Sequence, residues 1–293
     1  MGLYRALPED GVAWVTGASK GIGRQVALDL ARQGYTVAAT ARNAERLAAL
    51  ADEVSGLKGR IVAFPGDVTD EKAMLETVAA IEERLGAVVL AVLNAGAYYP
   101  ARGDALEVAN FVKTYQINLF GVLHGLVPLI DRMRERERGQ IALMGSVSAY
   151  GGLPMAAAYG ASKAALNNMA EALKFDLDKM NIRLQVINPG FVETPLTNKN
   201  NFAMPALISV EKASARIVEG LRTGGFEVAF PRRFAWFLKF VNLFPHPAYF
   251  WFLNWAMGWR KRPLGPARRS RKISLTSKKI RLFSDKGRAK TKR

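Results

Sequence analysis

The chain has 293 residues, 49% of them apolar, and a formal net charge of +17. That length accommodates one α/β domain with an appendage and leaves little room for two full domains. The absence of cysteine excludes disulfides, thiolate metal sites and a cysteine nucleophile.

The charge is unevenly spread. Residues 1–231 carry equal numbers of basic and acidic side chains, 24 of each. Residues 232–264 add six basic residues and no acid, and residues 265–293 add twelve against Asp285 alone. A neutral domain over 1–231, an aromatic segment over 232–264 and a basic tail over 265–293 are therefore expected. No apolar stretch precedes Glu9 and Asp10, so no signal peptide is expected and the setting is read as cytoplasmic.

In chain order, the apolar run Val12–Thr16 predicts a strand, followed by the turn Gly17-Ala18-Ser19-Lys20-Gly21-Ile22-Gly23 and a helix closed by Gly34. A second strand is predicted at 35–40 and a helix at 43–55. Further strands are predicted at 61–64, Val88–Leu93, 140–144, 183–187 and Glu227–Phe230, with helical stretches between most of them. Alternation of this kind predicts an α/β, Rossmann-like doubly wound parallel sheet of about seven strands, helices on both faces, and a C-terminal helical extension. Ligands of such sheets bind at the carboxyl ends of the strands.

The turn after the first strand spaces its glycines G-x-x-x-G-x-G. Glycines allow a tight turn and close backbone approach to a phosphate at a helix N-terminus; they could also simply punctuate a turn. Where an NAD-binding chain would place a carboxylate for the ribose 2′-hydroxyl, this one has Thr40-Ala41-Arg42. Arg42, with Lys20 nearby, suits a 2′-phosphate, which favours NADP(H) over NAD(H).

Tyr159 and Lys163 stand at i and i+4 of a predicted helix and share one face. An ammonium near a phenol draws its pKa down, suiting Tyr159 to proton transfer with a carbonyl/alcohol pair. Ser146, at a predicted strand end, could hydrogen-bond the same oxygen. His124 and His246 have no partner set suggesting a metal or a triad, and no metal site is expected.

Together, Thr16–Gly23, Asp67-Val68, Asn94-Ala95-Gly96, Asn118, Ser146, Tyr159-x-x-x-Lys163 and Pro189-Gly190-Phe191-Val192-x-Thr194 resemble, in order and spacing, the short-chain dehydrogenase/reductase family over roughly residues 10–231. The resemblance implies that Tyr159 is the general acid/base and that Lys163 lowers its pKa and binds the nicotinamide ribose. It implies that Ser146 positions the substrate oxygen and that Asn118 supports the lysine and a relay water. Gly17, Ser19, Lys20, Gly21, Ile22, Gly23, Arg42, Asp67, Val68, Asn94, Ala95, Gly96, Pro189, Gly190, Val192 and Thr194 would line the cofactor, with Asp67 at adenine and Thr194 at the carboxamide. It also implies a dimer or tetramer through the helices that carry Asn118 and Tyr159, of which the tail directly after the last strand favours the homodimer. The rival reading is a non-catalytic, regulatory NADP(H)-binding protein.

A greasy loop, Phe202, Ala203, Met204, Pro205, Ala206 and Leu207, suggests an apolar carbonyl or alcohol substrate, with simple packing against the core as the alternative. Residues 234–259 hold eleven aromatic residues, split by Pro245-His246-Pro247 into halves too short to span a bilayer. Three readings stay open: helices lying on a membrane face, a cover for a dimer or pocket, and a kinked span. The first is favoured, because tryptophans and flanking arginines suit an anionic interface. The basic tail is read as a disordered segment attracted to anionic lipid, with nucleic acid the less favoured partner.

Overall fold

Strand β1 (Val12–Thr16) is buried along its whole length, as expected of a strand covered on both faces. Its side chains alternate between two cores: Ala13 and Val15 face one, Val12 and Trp14 the other. The remaining elements follow as α1 (Gly21–Arg32), β2 (Thr36–Thr40), α2 (Ala44–Asp52), β3 (Arg60–Ala63), α3 (Glu71–Leu85), β4 (Val88–Leu93), α4 (Val108–Tyr115) and α5 (Gly121–Glu135). After them come β5 (Gly139–Met144), α6 (Ala157–Leu177), β6 (Ile182–Pro189), α7 (Val210–Thr223), β7 (Glu227–Phe230), α8 (Arg232–Val241) and α9 (His246–Ala256). This computed structural model describes residues 2–197 and 204–265. The basic tail beyond 265, and Phe202 and Ala203 of the greasy loop, lie outside the described residues.

All seven strands are parallel, in the order β3-β2-β1-β4-β5-β6-β7. Residues of α1 and α7 (Val26, Leu30, Ile217, Leu221) fill one core. Residues of α3, α5 and α6 (Met74, Val78, Leu126, Leu129, Leu166) fill the other. Asn43, Asp70 and Ser209 cap α2, α3 and α7 by accepting from backbone amides. The chain reverses its winding between β1 and β4, so a crevice opens at the carboxyl ends of these neighbours.

The expected strand at 183–187 runs on to Pro189. The pair Asn188-Pro189 resembles a turn in sequence, but β7 pairs with it through Asn188 to Ala229 and Pro189 to Phe230. A long-range partner thus extends the strand.

Helices α8 and α9 form a hairpin, with Phe237 and Phe252 meeting edge-on at 5.8 Å. Its inward side buries Ala235, Val241, Tyr249 and Leu253. Its outward side exposes Trp236, Phe240, Leu243, Phe250, Trp251 and Trp255. Lys239, half-buried, meets Glu227 of the last strand, while most of the hairpin's tryptophans stay exposed. Among the described residues, no helix is long and apolar enough to cross a membrane, and the kinked-span reading has no helix to carry it.

Candidate active site

The glycine turn leaves β1 through Gly17, whose φ of 68° is a conformation side chains rarely adopt. Gly23 is needed for a different reason. A Cβ there would collide with Asn94 Nδ2 and the Gly17 carbonyl, so α1 can pack this tightly only on glycine. Lys20 occupies the α1 N-cap without a side-chain cap hydrogen bond, leaving the first amides of the helix to an anion.

Thr16 staples the crevice. Its Oγ1 accepts from the Asn94 amide at 2.9 Å and the Ala95 amide at 3.1 Å, while Asn94 Nδ2 donates to the Thr16 carbonyl at 3.0 Å. Asn94 therefore ties β4 to β1.

A cavity of about 500 Å³ runs along these strand ends. Gly17, Ser19, Lys20, Gly21, Ile22, Arg42, Asp67, Val68, Asn94, Ala95, Gly96, Ser146, Tyr159, Lys163, Pro189, Gly190, Val192 and Thr194 all line it. Of the residues expected at the site, Gly23 and Asn118 do not. Gly23 acts through packing, as above. Asn118 lies fully buried in a π-helical turn, Gln116–Phe120, between α4 and α5. Its Oδ1 accepts from the Ala97 amide at 2.7 Å, and its Nδ2 donates to the Ala97 carbonyl and Ser162 Oγ, each at 3.0 Å. The expected support of Lys163 by Asn118 is thus not a direct bond; Asn118 anchors the segment after Gly96 to the helix bearing Tyr159.

Lys20, Arg42 and Arg46 line the cavity from the turns after β1 and β2. Arg42 and Asp67 approach to 3.8 Å on a solvent-exposed surface, and Asp67 Oδ1 also accepts from Thr69 Oγ1 at 2.9 Å. His124 donates from Nδ1 to the Val68 carbonyl at 2.8 Å, a structural role that steadies the cavity wall. Thr194 faces Gly21 and hydrogen-bonds within its own turn to Thr197.

Tyr159, Ser146 and Lys163 share the cavity wall, with Tyr98 edge-on to Tyr159 at 5.3 Å. Lys163 Nζ lies 5.7 Å from the Tyr159 ring centroid and donates to the Met144 carbonyl at 2.6 Å. The expected lowering of the tyrosine pKa is not what the geometry gives. Burial pushes Tyr159 up to about 12, opposed by a hydrogen bond with Ser146, and burial draws Lys163 down to about 8. Burial thus favours the neutral phenol of Tyr159.

Sequence reasoning overlooked Arg46, Tyr99, Gly145 and Asn188, and gave Thr16 no role of its own. Tyr99, Gly145 and Arg46 line the cavity. Asn188 Oδ1 accepts from the Ser146 amide at 2.8 Å, and Gly145 is small enough to let it approach.

The cavity fits a dinucleotide. It combines a glycine cradle that side chains would obstruct, an open helix N-terminus, cations from the turns after β1 and β2, and a tyrosine–lysine–serine group. A family model described as short chain dehydrogenase matches residues 11–204, well over half of the chain. An uncharacterized oxidoreductase of Myxococcus xanthus is 35% identical over 237 residues, covering 81% of this chain and 94% of the relative. A 3-oxoacyl-[acyl-carrier-protein] reductase of Thermotoga maritima is 32% identical over 191 residues, covering 65% and 78%. The solved structure of an alcohol dehydrogenase from Thermococcus sibiricus, complexed with 5-hydroxy-NADP, superposes with a TM-score of 0.68 at 25% identity, covering 75% of this chain and 95% of that one. The chain belongs to the short-chain dehydrogenase/reductase family, whose members bind NAD(P), and is an oxidoreductase of the alcohol/carbonyl type.

Proposed function

We propose that the protein is an NADP(H)-dependent oxidoreductase that interconverts a carbonyl and an alcohol on an apolar, lipid-like substrate, with Tyr159 as general acid/base. The observation that carries this is one cavity wall shared by Tyr159, Ser146 and Lys163 with the glycine turn and Arg42. The bound nicotinamide supplies or accepts the hydride. In the reducing direction the neutral Tyr159 phenol gives its proton to the carbonyl oxygen, and Ser146 holds that oxygen. Lys163, beside the ring, stabilises the phenolate left behind. The cations Lys20, Arg42 and Arg46 favour a 2′-phosphate. Pro195 and Leu196 on the cavity wall, with Leu207 exposed beyond them, support an apolar substrate.

The catalytic unit is assigned to 1–231, and the extension to 232–264 followed by the tail to 293. Exposed Val112, Phe120, Val127 and Phe175 on α4, α6 and the turn and helix between them support a homodimer.

The test is NADPH oxidation with a panel of aliphatic aldehydes and ketones. Tyr159→Phe is expected to lose roughly 10²–10⁴-fold in kcat with NADPH binding retained. Cofactor binding without turnover of any carbonyl, unchanged in the variant, would leave the regulatory NADP(H)-binding reading standing.

A second reading concerns location. The outward face of the α8–α9 hairpin, with Trp236 at 70% and Leu243 at 80% exposure, supports peripheral seating on an anionic membrane, flanked by Arg232, Arg233, Arg260, Lys261 and Arg262. Full-length protein should sediment with phosphatidylserine-containing vesicles, and Trp236→Ser with Trp251→Ser and Trp255→Ser should release it. Full-length protein that remains in the supernatant counts against membrane seating.

A further inference from the structure

The α8–α9 hairpin is wired into the site by polar contacts that no resemblance predicts. Glu227, half-buried at the start of β7, receives three donors. Tyr150 Oη donates to Oε1 at 2.6 Å, Asn188 Nδ2 donates to Oε1 at 2.8 Å, and Lys239 of α8 pairs with Oε2. Asn188, fully buried, then accepts from the Ser146 amide. Lys239 also lies 4.9 Å from the Tyr150 ring centroid. Further along, Tyr249 Oη of α9 donates to the Gly152 carbonyl at 2.7 Å, and Asn242 stands close against Gly151. On the opposite wall Phe234 of α8 abuts Gly190 and tilts against Phe191 at 6.0 Å.

We infer that Glu227 and Lys239 are positioning residues for the reaction, aligning Ser146 through Asn188 and thereby making the aromatic hairpin a working support of the catalytic loop. The reason lies in the amide of Asn188. Its oxygen and nitrogen ends are nearly the same shape, and only their partners decide which way it faces. The Glu227 carboxylate can only accept, so it holds the NH₂ end and turns the oxygen toward the Ser146 amide. Without Glu227 that orientation loses its reason, and an NH₂ presented to the Ser146 amide would be donor against donor. Burial raises the Glu227 pKa, but donors from Lys239, Tyr150 and Asn188 outweigh it and keep the carboxyl below its usual range. The carboxylate form required is thus the stable one. Lys239 joins this anion to α8, so any displacement of the hairpin is felt at Ser146.

The inference rests on Ser146 being the residue that holds the substrate oxygen, and the test separates the two claims. In the full-length protein, Glu227→Ala, Lys239→Met and the neutral pair Glu227→Gln with Lys239→Met are compared by hydrogen–deuterium exchange over residues 144–152. Their kcat and KM are measured with NADPH and decanal as the probe. Glu227→Ala should speed exchange at the Ser146 amide by about tenfold. It should lower kcat by about tenfold to a hundredfold, with the KM for NADPH within about twofold. Lys239→Met should move both readouts the same way by less. The neutral pair keeps an acceptor for Asn188 and Tyr150 and should recover kcat relative to Glu227→Ala. Ser146 exchange and kcat within about twofold of wild type in Glu227→Ala overturn the inference. A uniform loss of protection across the sheet overturns it equally, because Glu227 is then a general stability residue. If the wild type reduces no decanal, the exchange data alone decide the coupling, and the failure counts against the substrate reading.

Discussion

Lys163 sits beside Tyr159, 5.7 Å from its ring centroid, yet spends its hydrogen bond on the Met144 carbonyl at 2.6 Å. Burial governs both groups, which sends their pKa values apart, the phenol up to about 12 and the ammonium down to about 8. Because Lys163 has a lower pKa folded than unfolded, the unfolded chain binds more protons between pH 8 and 10.5. The Lys163 contribution to stability therefore rises with pH across that window, as the cost of a buried charge is relieved, by up to about 3 kcal/mol, while the raised pKa of Tyr159 lowers stability above about pH 10. Thermal unfolding of the cofactor-free protein should show this rise, and Lys163→Met should remove it. Identical pH profiles for both proteins would contradict the burial argument. Carbonyl reduction should meanwhile slow as pH passes about 8 and Lys163 loses its charge.

Arg42 meets Asp67 at 3.8 Å with both side chains in solvent, a geometry that contributes little by itself. It is therefore available to a phosphate. Arg42→Ala should weaken NADPH binding by about tenfold to a hundredfold, the worth of a charged hydrogen bond, and change NADH binding little. Fluorescence titration with both cofactors checks it; equal losses would remove the 2′-phosphate from the argument.

Gly23 tolerates no side chain between Asn94 Nδ2 and the Gly17 carbonyl. Gly23→Ala should destabilise the protein by about 1–3 kcal/mol through forced backbone shifts. Because those shifts fall on the phosphate turn, cofactor affinity should drop as well. Calorimetry with and without NADPH separates the two losses.

Thr16→Val preserves shape and removes the acceptor shared by the Asn94 and Ala95 amides. Leaving a buried amide unsatisfied costs about 1–3 kcal/mol. A fall in Tm is expected, larger than that of Thr69→Val, whose hydroxyl donates to the partly exposed carboxylate of Asp67. Equal falls would show that the β1–β4 staple is not special.

Much of this architecture was legible in one dimension. Every strand was located, three with both ends as predicted; β1, β4 and β5 are buried throughout, and such strands are apolar runs whatever they pack against. Tyr159 and Lys163 were legible because a helix brings i and i+4 together by local geometry alone. The glycines of the first turn were legible because backbone approach leaves no alternative residue. What only the tertiary structure decided depends on partners far apart in sequence. Asn188 lay just past the predicted strand until β7 paired with it, and Glu227 was only the first residue of a predicted strand until Tyr150, Asn188 and Lys239 converged on it. The phenol's pKa followed the same rule: spacing placed a lysine near Tyr159, but burial, a property of the whole fold, set the direction of the shift. In the aromatic hairpin, the sequence determined two short helices broken at Pro245, while docking determined that Ala235, Val241, Tyr249 and Leu253 are buried and that Trp236, Trp251 and Trp255 stay exposed. Local geometry is written in spacing; burial and long-range pairing exist only once the chain has folded.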